Sequence, residues 1–163
     1  MPGKPHSDTK PRDTSGTHVW LVLMKAFRAL AQHAEQSVDG AALAFSEFTI
    51  LEALLNEGPL QVNDIGRRVN LTSGAITSAI DRLEARGLVQ RGVDQADRRA
   101  RVVSLTRAGH ALIATTFAAH KARMDAAADT LTAKERKTLI DLLKKLGMGA
   151  TEKLAKAPRG RED

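Results

Sequence analysis

Five side chains in one short stretch combine small size with hydrogen-bonding capacity: Thr72, Ser73, Thr77, Ser78 and Arg82. Hydroxyls donate and accept, and a guanidinium offers a planar fork of donors. On a helix these positions share the face left outside once Ile76, Ile80 and Leu83, at steps of four and three, turn inward. A face without bulk can enter the major groove of duplex DNA, about 12 Å wide, and meet base edges there. Gly74 lets the backbone come close to a neighbouring helix or to DNA. The free amides at the helix start favour a phosphate. Arg91, Arg98, Arg99 and Arg101 follow, with only Asp94 and Asp97 between them as counter-charge. A projecting arginine can read a narrow minor groove, where negative potential is enhanced. The chemistry on offer is recognition of a polyanion and its base edges.

The elements that must position these groups are legible from periodicity. Leu23, Phe27, Leu30, Ala34 and Val38 mark one face of a first helix, over about residues 17–38. Its start, Val19 to Met24, is apolar on every side, and a partner subunit is one way to bury it. Ser46 is the expected cap of a second helix carrying Phe48, Ile50, Leu51, Leu54 and Leu55, stopped by Gly58-Pro59. A short third helix turns Ile65 and Val69 inward, and Asn70-Leu71 makes the turn. Thr72 caps the fourth helix, and Gly87 sits where a glycine beyond its C-terminus belongs. Leu88 to Val93 and Arg101 to Leu105 read as two strands of a hairpin. Thr106 caps a long fifth helix, whose Ile113, Phe117, His120, Met124, Ala127 and Leu131 form a sustained seam for another helix. Thr132 and Glu135 form a capping box opening a sixth, with Leu139, Leu143 and Leu146 inward.

Composition narrows the function. The 163 residues suit one compact domain or two small lobes, and a charge of +6 invites nucleic acid or an anionic surface. There is no cysteine, which excludes disulfides, thiolate metal sites and cysteine redox sensing. His6, His18, His33, His110 and His120 include no pair at a spacing of three or four, so no metal site is expected. Phosphate loops, nucleophile elbows and His-Glu-x-x-His are missing, and no enzyme activity or cofactor is expected. No stretch reaches the ~18 apolar residues of a bilayer span, and the first 16 residues have no apolar run. The expectation is a soluble, cytoplasmic protein without a membrane partner.

Three stretches resemble the multiple-antibiotic-resistance (MarR) type regulators: Leu71 to Thr77, Arg82 to Val89, and Asp97-Arg98-Arg99 running into Leu105-Thr106-Arg107-Ala108-Gly109. The resemblance covers about residues 18–147. It implies a mainly α fold with a small β-hairpin wing, a winged helix-turn-helix lobe on a helical dimerisation lobe. The corresponding division is a disordered tail (1–16), a dimerisation region (17–40 and 108–150), the DNA-binding lobe (41–107) and a C-terminal tail (151–163). It implies that the fourth helix is the recognition helix, that Arg99 enters the minor groove and that Asp97 orients it. It also implies a homodimer built on helices one, five and six. Phe45 to Phe48 with Leu71 to Gly74 looks closest to the quinone and catechol resistance regulators. Family members often bind aromatic acids such as salicylate, which would make Trp20, Met24, Phe27, Phe48 and Arg86 candidates for the lining of an effector pocket.

The reading is a ligand-responsive repressor on a pseudo-palindromic operator, released by a small aromatic acid, phenol or quinone. Two others stand beside it: a basic architectural protein coating DNA with little sequence preference, and a helical protein-interaction module. A hydroxyl-rich face favours the first, since binders of the phosphate backbone alone need mainly Lys and Arg.

Overall fold

The structure, a computed structural model, describes residues 13–69, 71–93 and 101–156. It divides at Met124 into two compact units. Among the described residues no helix is long and apolar enough to cross a membrane.

The first unit opens with α1 (Gly16–Gln36), capped by Ser15, whose hydroxyl accepts from the His18 amide. The helix thus begins inside the stretch expected to be a disordered tail. Only its C-terminal end meets the core: Ala34 and, just beyond, Val38 are buried. Trp20 and Phe27 are 59% and 61% exposed, and Val19, Leu21 and Val22 are exposed with them. The apolar start is therefore uncovered in a single chain.

A short 3-10 turn, Asp39–Ala41, leads to α2 (Phe45–Glu57). This helix begins before the cap expected at Ser46, which lies inside it. The reason is Glu47, whose Oε2 accepts from the Ala44 amide at 3.2 Å and satisfies a donor the helix itself cannot. Phe48, Ile50, Leu51 and Leu54 form the centre of the core. A two-residue strand, β1 (Leu60–Gln61), runs into α3 (Val62–Val69). The residue expected to begin the next turn, Asn70, lies outside the described residues. In α4 (Ser73–Ala85) Thr72 is the cap, with its Oγ1 accepting from the Ala75 amide.

Gly87, at φ +67°, ends α4 in the left-handed conformation that only glycine adopts without strain. The Gly87 amide donates to Glu84 and the Leu88 amide to Leu83, which closes the last turn. Strands β2 (Val89–Val93) and β3 (Arg101–Leu105) pair antiparallel, Val89 opposite Leu105 and Val93 opposite Arg101. The expected two-stranded hairpin is in fact part of a three-stranded sheet, ordered β1-β3-β2, because Leu60 and Gln61 pair with Val103 and Val102. Two residues are too short a run for alternation to reveal.

Thr106 starts α5 (Arg107–Ala127), accepting from the Gly109 amide at 3.0 Å and donating to the Gly87 carbonyl at 2.7 Å. Much of the seam expected on α5 is occupied by its own chain. Ile113 is fully buried, and His120 packs on the Phe48 ring at 4.8 Å with its Nδ1 2.7 Å from the Ser37 hydroxyl.

In the second unit the capping box forms as expected. The Thr132 hydroxyl and amide both donate to Glu135, whose carboxyl they hold below its usual range. Helix α6 runs over Ala133–Lys156, and its last turns, Thr151 to Lys156, contain neither glycine nor proline. Leu139, Leu143 and Leu146, expected inward, are 40–46% exposed.

Candidate nucleic-acid interface

The exposed face of α4 begins with burial on the opposite side. Ile76, Ala79, Ile80 and Leu83 are at most 1% exposed, which fixes the rotation of α4 on the core. The same rotation leaves Thr72, Ser73, Gly74, Thr77 and Ser78 exposed together. Thr77 donates its hydroxyl proton to the Ser73 carbonyl at 3.0 Å. A cleft of about 450 Å³ separates α3 from α4, with Asn63, Arg67, Ser73 and Thr77 among its walls.

Arg82 stands apart from this group. Its Nε donates to Glu47 Oε1 at 2.8 Å, and Arg86 Nη1 donates to Glu47 Oε2 at 3.2 Å. The Glu47 side chain is 6% exposed, against 54% and 38% for the two arginines. A carboxylate this deep needs hydrogen-bond partners, and here it has three, counting the Ala44 amide. It ties the start of α2 to the C-terminal half of α4. Sequence reasoning missed Glu47. The signal was its position three residues after Ala44, the spacing of a capping box, obscured by the better-looking cap at Ser46.

Arg91 also departs from expectation. Grouped by sequence with the free cations of the hairpin, it donates to both Asp81 and Glu84 of α4, and its amide bonds Glu84 at 3.2 Å. Asp81 first, with Glu84 behind it, raises the basicity of the guanidinium. The two acidic groups of α4 are thereby neutralised, and β2 is fastened to α4. No local spacing announces a pair that crosses from helix to strand. Asp97, Arg98 and Arg99 lie outside the described residues. On α3, Arg68 grips Glu57 through two bonds of 2.5 Å, which pins α3 to the end of α2 and lowers the Glu57 carboxyl. Arg67, paired with Asp64, keeps its side chain 77% exposed beside the cleft.

The five residues expected to line an effector pocket differ in their surroundings. Phe48 is core, 1% exposed and stacked near Phe45 and His120. Arg86 is bound to Glu47. Trp20, Met24 and Phe27 share one side of α1, where Met24 is half-buried and the other two are exposed.

Comparison with known proteins agrees with this geometry. The MarR family model matches residues 43–100, which takes in α2, α3, α4 and β2. The transcriptional regulator MhqR of Bacillus subtilis is 30% identical over 134 residues, covering 82% of this chain and 92% of that protein. Bordetella bronchiseptica BpsR, a protein whose DNA binding is regulated by 6-hydroxynicotinic acid, superposes with a TM-score of 0.70 at 26% identity, covering 80% of this chain and 98% of that one. A cysteine-to-serine mutant of Escherichia coli MarR in complex with operator DNA gives a TM-score of 0.63 at 25% identity, over 80% and 91% of the two chains. The likeness to MhqR runs along nearly the whole of both proteins, and with the capped, hydroxyl-bearing α4 set beside a hairpin it means that this chain belongs to the MarR family of DNA-binding transcription regulators.

Proposed function

We propose that the protein is a homodimeric repressor that reads a pseudo-palindromic operator and is released by a small aromatic acid or phenolic ligand. The observation that carries the reading is the exposed hydroxyl face of α4, held outward by a fully buried opposite face. Thr72, Ser73, Gly74, Thr77 and Ser78 contact bases and phosphates in the major groove, while Asp97, Arg98 and Arg99 serve the minor groove. Arg82 holds α4 in place through Glu47. The uncovered apolar side chains of α1 and of α6 support a dimer, since monomers seldom expose so many large aliphatic and aromatic groups. Two recognition helices then sit about one helical turn, ~34 Å, apart.

The effector class is supported by BpsR, which responds to an aromatic acid. In this chain Trp20, Met24 and Phe27 would supply the apolar wall. A ligand wedged against α1 changes the spacing of the two lobes, and such coupling is typically ~1–3 kcal/mol. The role is regulatory, not catalytic, and its place is the cytoplasm.

Fluorescence anisotropy tests this with the upstream intergenic duplex and a scrambled one at about 150 mM salt, with and without salicylate. The expected result is a preference above about a hundredfold for the native duplex, within the range of specific readers, and loss of that binding with salicylate. Equal binding to both duplexes would favour an architectural protein. In the same assay Arg99→Ala should weaken binding about tenfold or more, the loss falling at the outer base pairs. Unchanged affinity would remove the hairpin from the interface.

A further inference from the structure

The charged side chains of α4 are Asp81, Arg82 and Glu84, and each is engaged within the protein. Arg91 holds both acids. Arg82 holds Glu47, a carboxylate too deep to lose a partner without a heavy penalty. Guanine is read in the major groove chiefly by the paired donors of Arg or Lys, and the one such group on α4, Arg82, gives its Nε to Glu47 and stands in the C-terminal half of the helix, away from the exposed hydroxyl positions. Its exposed N-terminal half carries hydroxyls and methyls only. Among them Thr77 has its proton committed to the Ser73 carbonyl, so it presents a methyl and an acceptor lone pair. Ala75, also exposed, presents a methyl alone.

We propose that α4 reads its half-site without a charged side chain, through apolar contact of the Thr77 and Ala75 methyls with thymine C5-methyls. The preferred DNA therefore carries thymine, on either strand, opposite these two residues. This rests on the reading that α4 enters the major groove. Arg82 is a positioning residue in this scheme and not a reader of bases. The neutralised Asp81 and Glu84 matter equally, because free carboxylates on α4 would repel the phosphates flanking the groove.

The test begins with selection of duplexes from a random library by the full-length protein at about 150 mM salt. Thymines enriched opposite α4 are then replaced one at a time by deoxyuridine, which removes the methyl and keeps every hydrogen-bonding group. Each replacement should weaken binding roughly fourfold, the value of one buried methyl-sized group. Thr77→Ser keeps the hydroxyl and removes the protein's methyl. It should lose about the same fourfold on the thymine duplex and nothing further on the uracil duplex. Enriched sequences that bind equally well with uracil would overturn the proposal and leave sequence reading intact. So would a guanine selected opposite α4 whose preference disappears in Arg82→Gln. A library that enriches nothing would overturn sequence reading itself and this proposal with it.

Discussion

Gly109→Ala is expected to lower the melting temperature by about 6–12 °C, the equivalent of about 3 kcal/mol in a chain of this size. A Cβ on Gly109 would lie 1.9 Å from the Leu88 carbonyl oxygen, 2.8 Å from the carbonyl carbon and 3.2 Å from its Cα. All three are backbone atoms, so no side chain can swing away. The Leu88 oxygen is itself fixed as the acceptor of the Thr106 amide, and Leu88 closes the end of α4. Relief therefore requires either the first turn of α5 to move or the corner between α4 and β2 to open. Gly147→Ala provides the contrast. Its added Cβ meets nothing within 4 Å in α6, and glycine to alanine inside a helix stabilises by roughly 0.5–1 kcal/mol. Thermal unfolding followed by circular dichroism, at one protein concentration because a dimer's midpoint depends on it, should move in opposite directions for the two variants. Equal shifts would show that the Leu88 carbonyl does not set the cost.

Local devices were the legible part of the fold. Thr72, Gly87, Thr106 and the Thr132–Glu135 box each act within a few residues of themselves, and the structure uses each as its sequence suggests. The buried stripe Ile76, Ile80, Leu83 was legible for the same reason, since a helical period needs no knowledge of what lies opposite. Gly109 appears in the sequence as one glycine in a helix start. Its indispensability comes from the carbonyl of Leu88, far back along the chain, a separation no periodicity reports. Arg91 looked free because its counter-charges sit on another element. The seam of α5 was legible as a packing face for another helix, but not which one: part of it faces Phe48 and Ser37 of its own chain. For the interface, the pattern located the exposed face but could not separate Arg82, which points to Glu47, from the hydroxyls beside it.

The Glu47 cluster gives the other large effect, and its sign depends on which partner is removed. Glu47→Ala deletes the buried charge and leaves Arg82 and Arg86, both of which reach solvent. The loss is the Ala44 cap, about 1 kcal/mol, and two ion pairs to half-exposed arginines at roughly 0.5 kcal/mol each, about 2 kcal/mol together. Removing both arginines instead strands a carboxylate whose side chain is 6% exposed with only the Ala44 amide for company. Breaking a buried pair from that side costs about 3–5 kcal/mol. Arg82→Ala/Arg86→Ala should thus be less stable than Glu47→Ala, and adding Glu47→Ala to the double variant should restore part of the loss. Urea unfolding measures all three, with the slope m checked for constancy. Additive losses in the triple variant would mean that the three side chains act separately. Recovery in the triple variant, together with weakened DNA binding in all three, would establish that the carboxylate earns its buried position by holding α4 against α2.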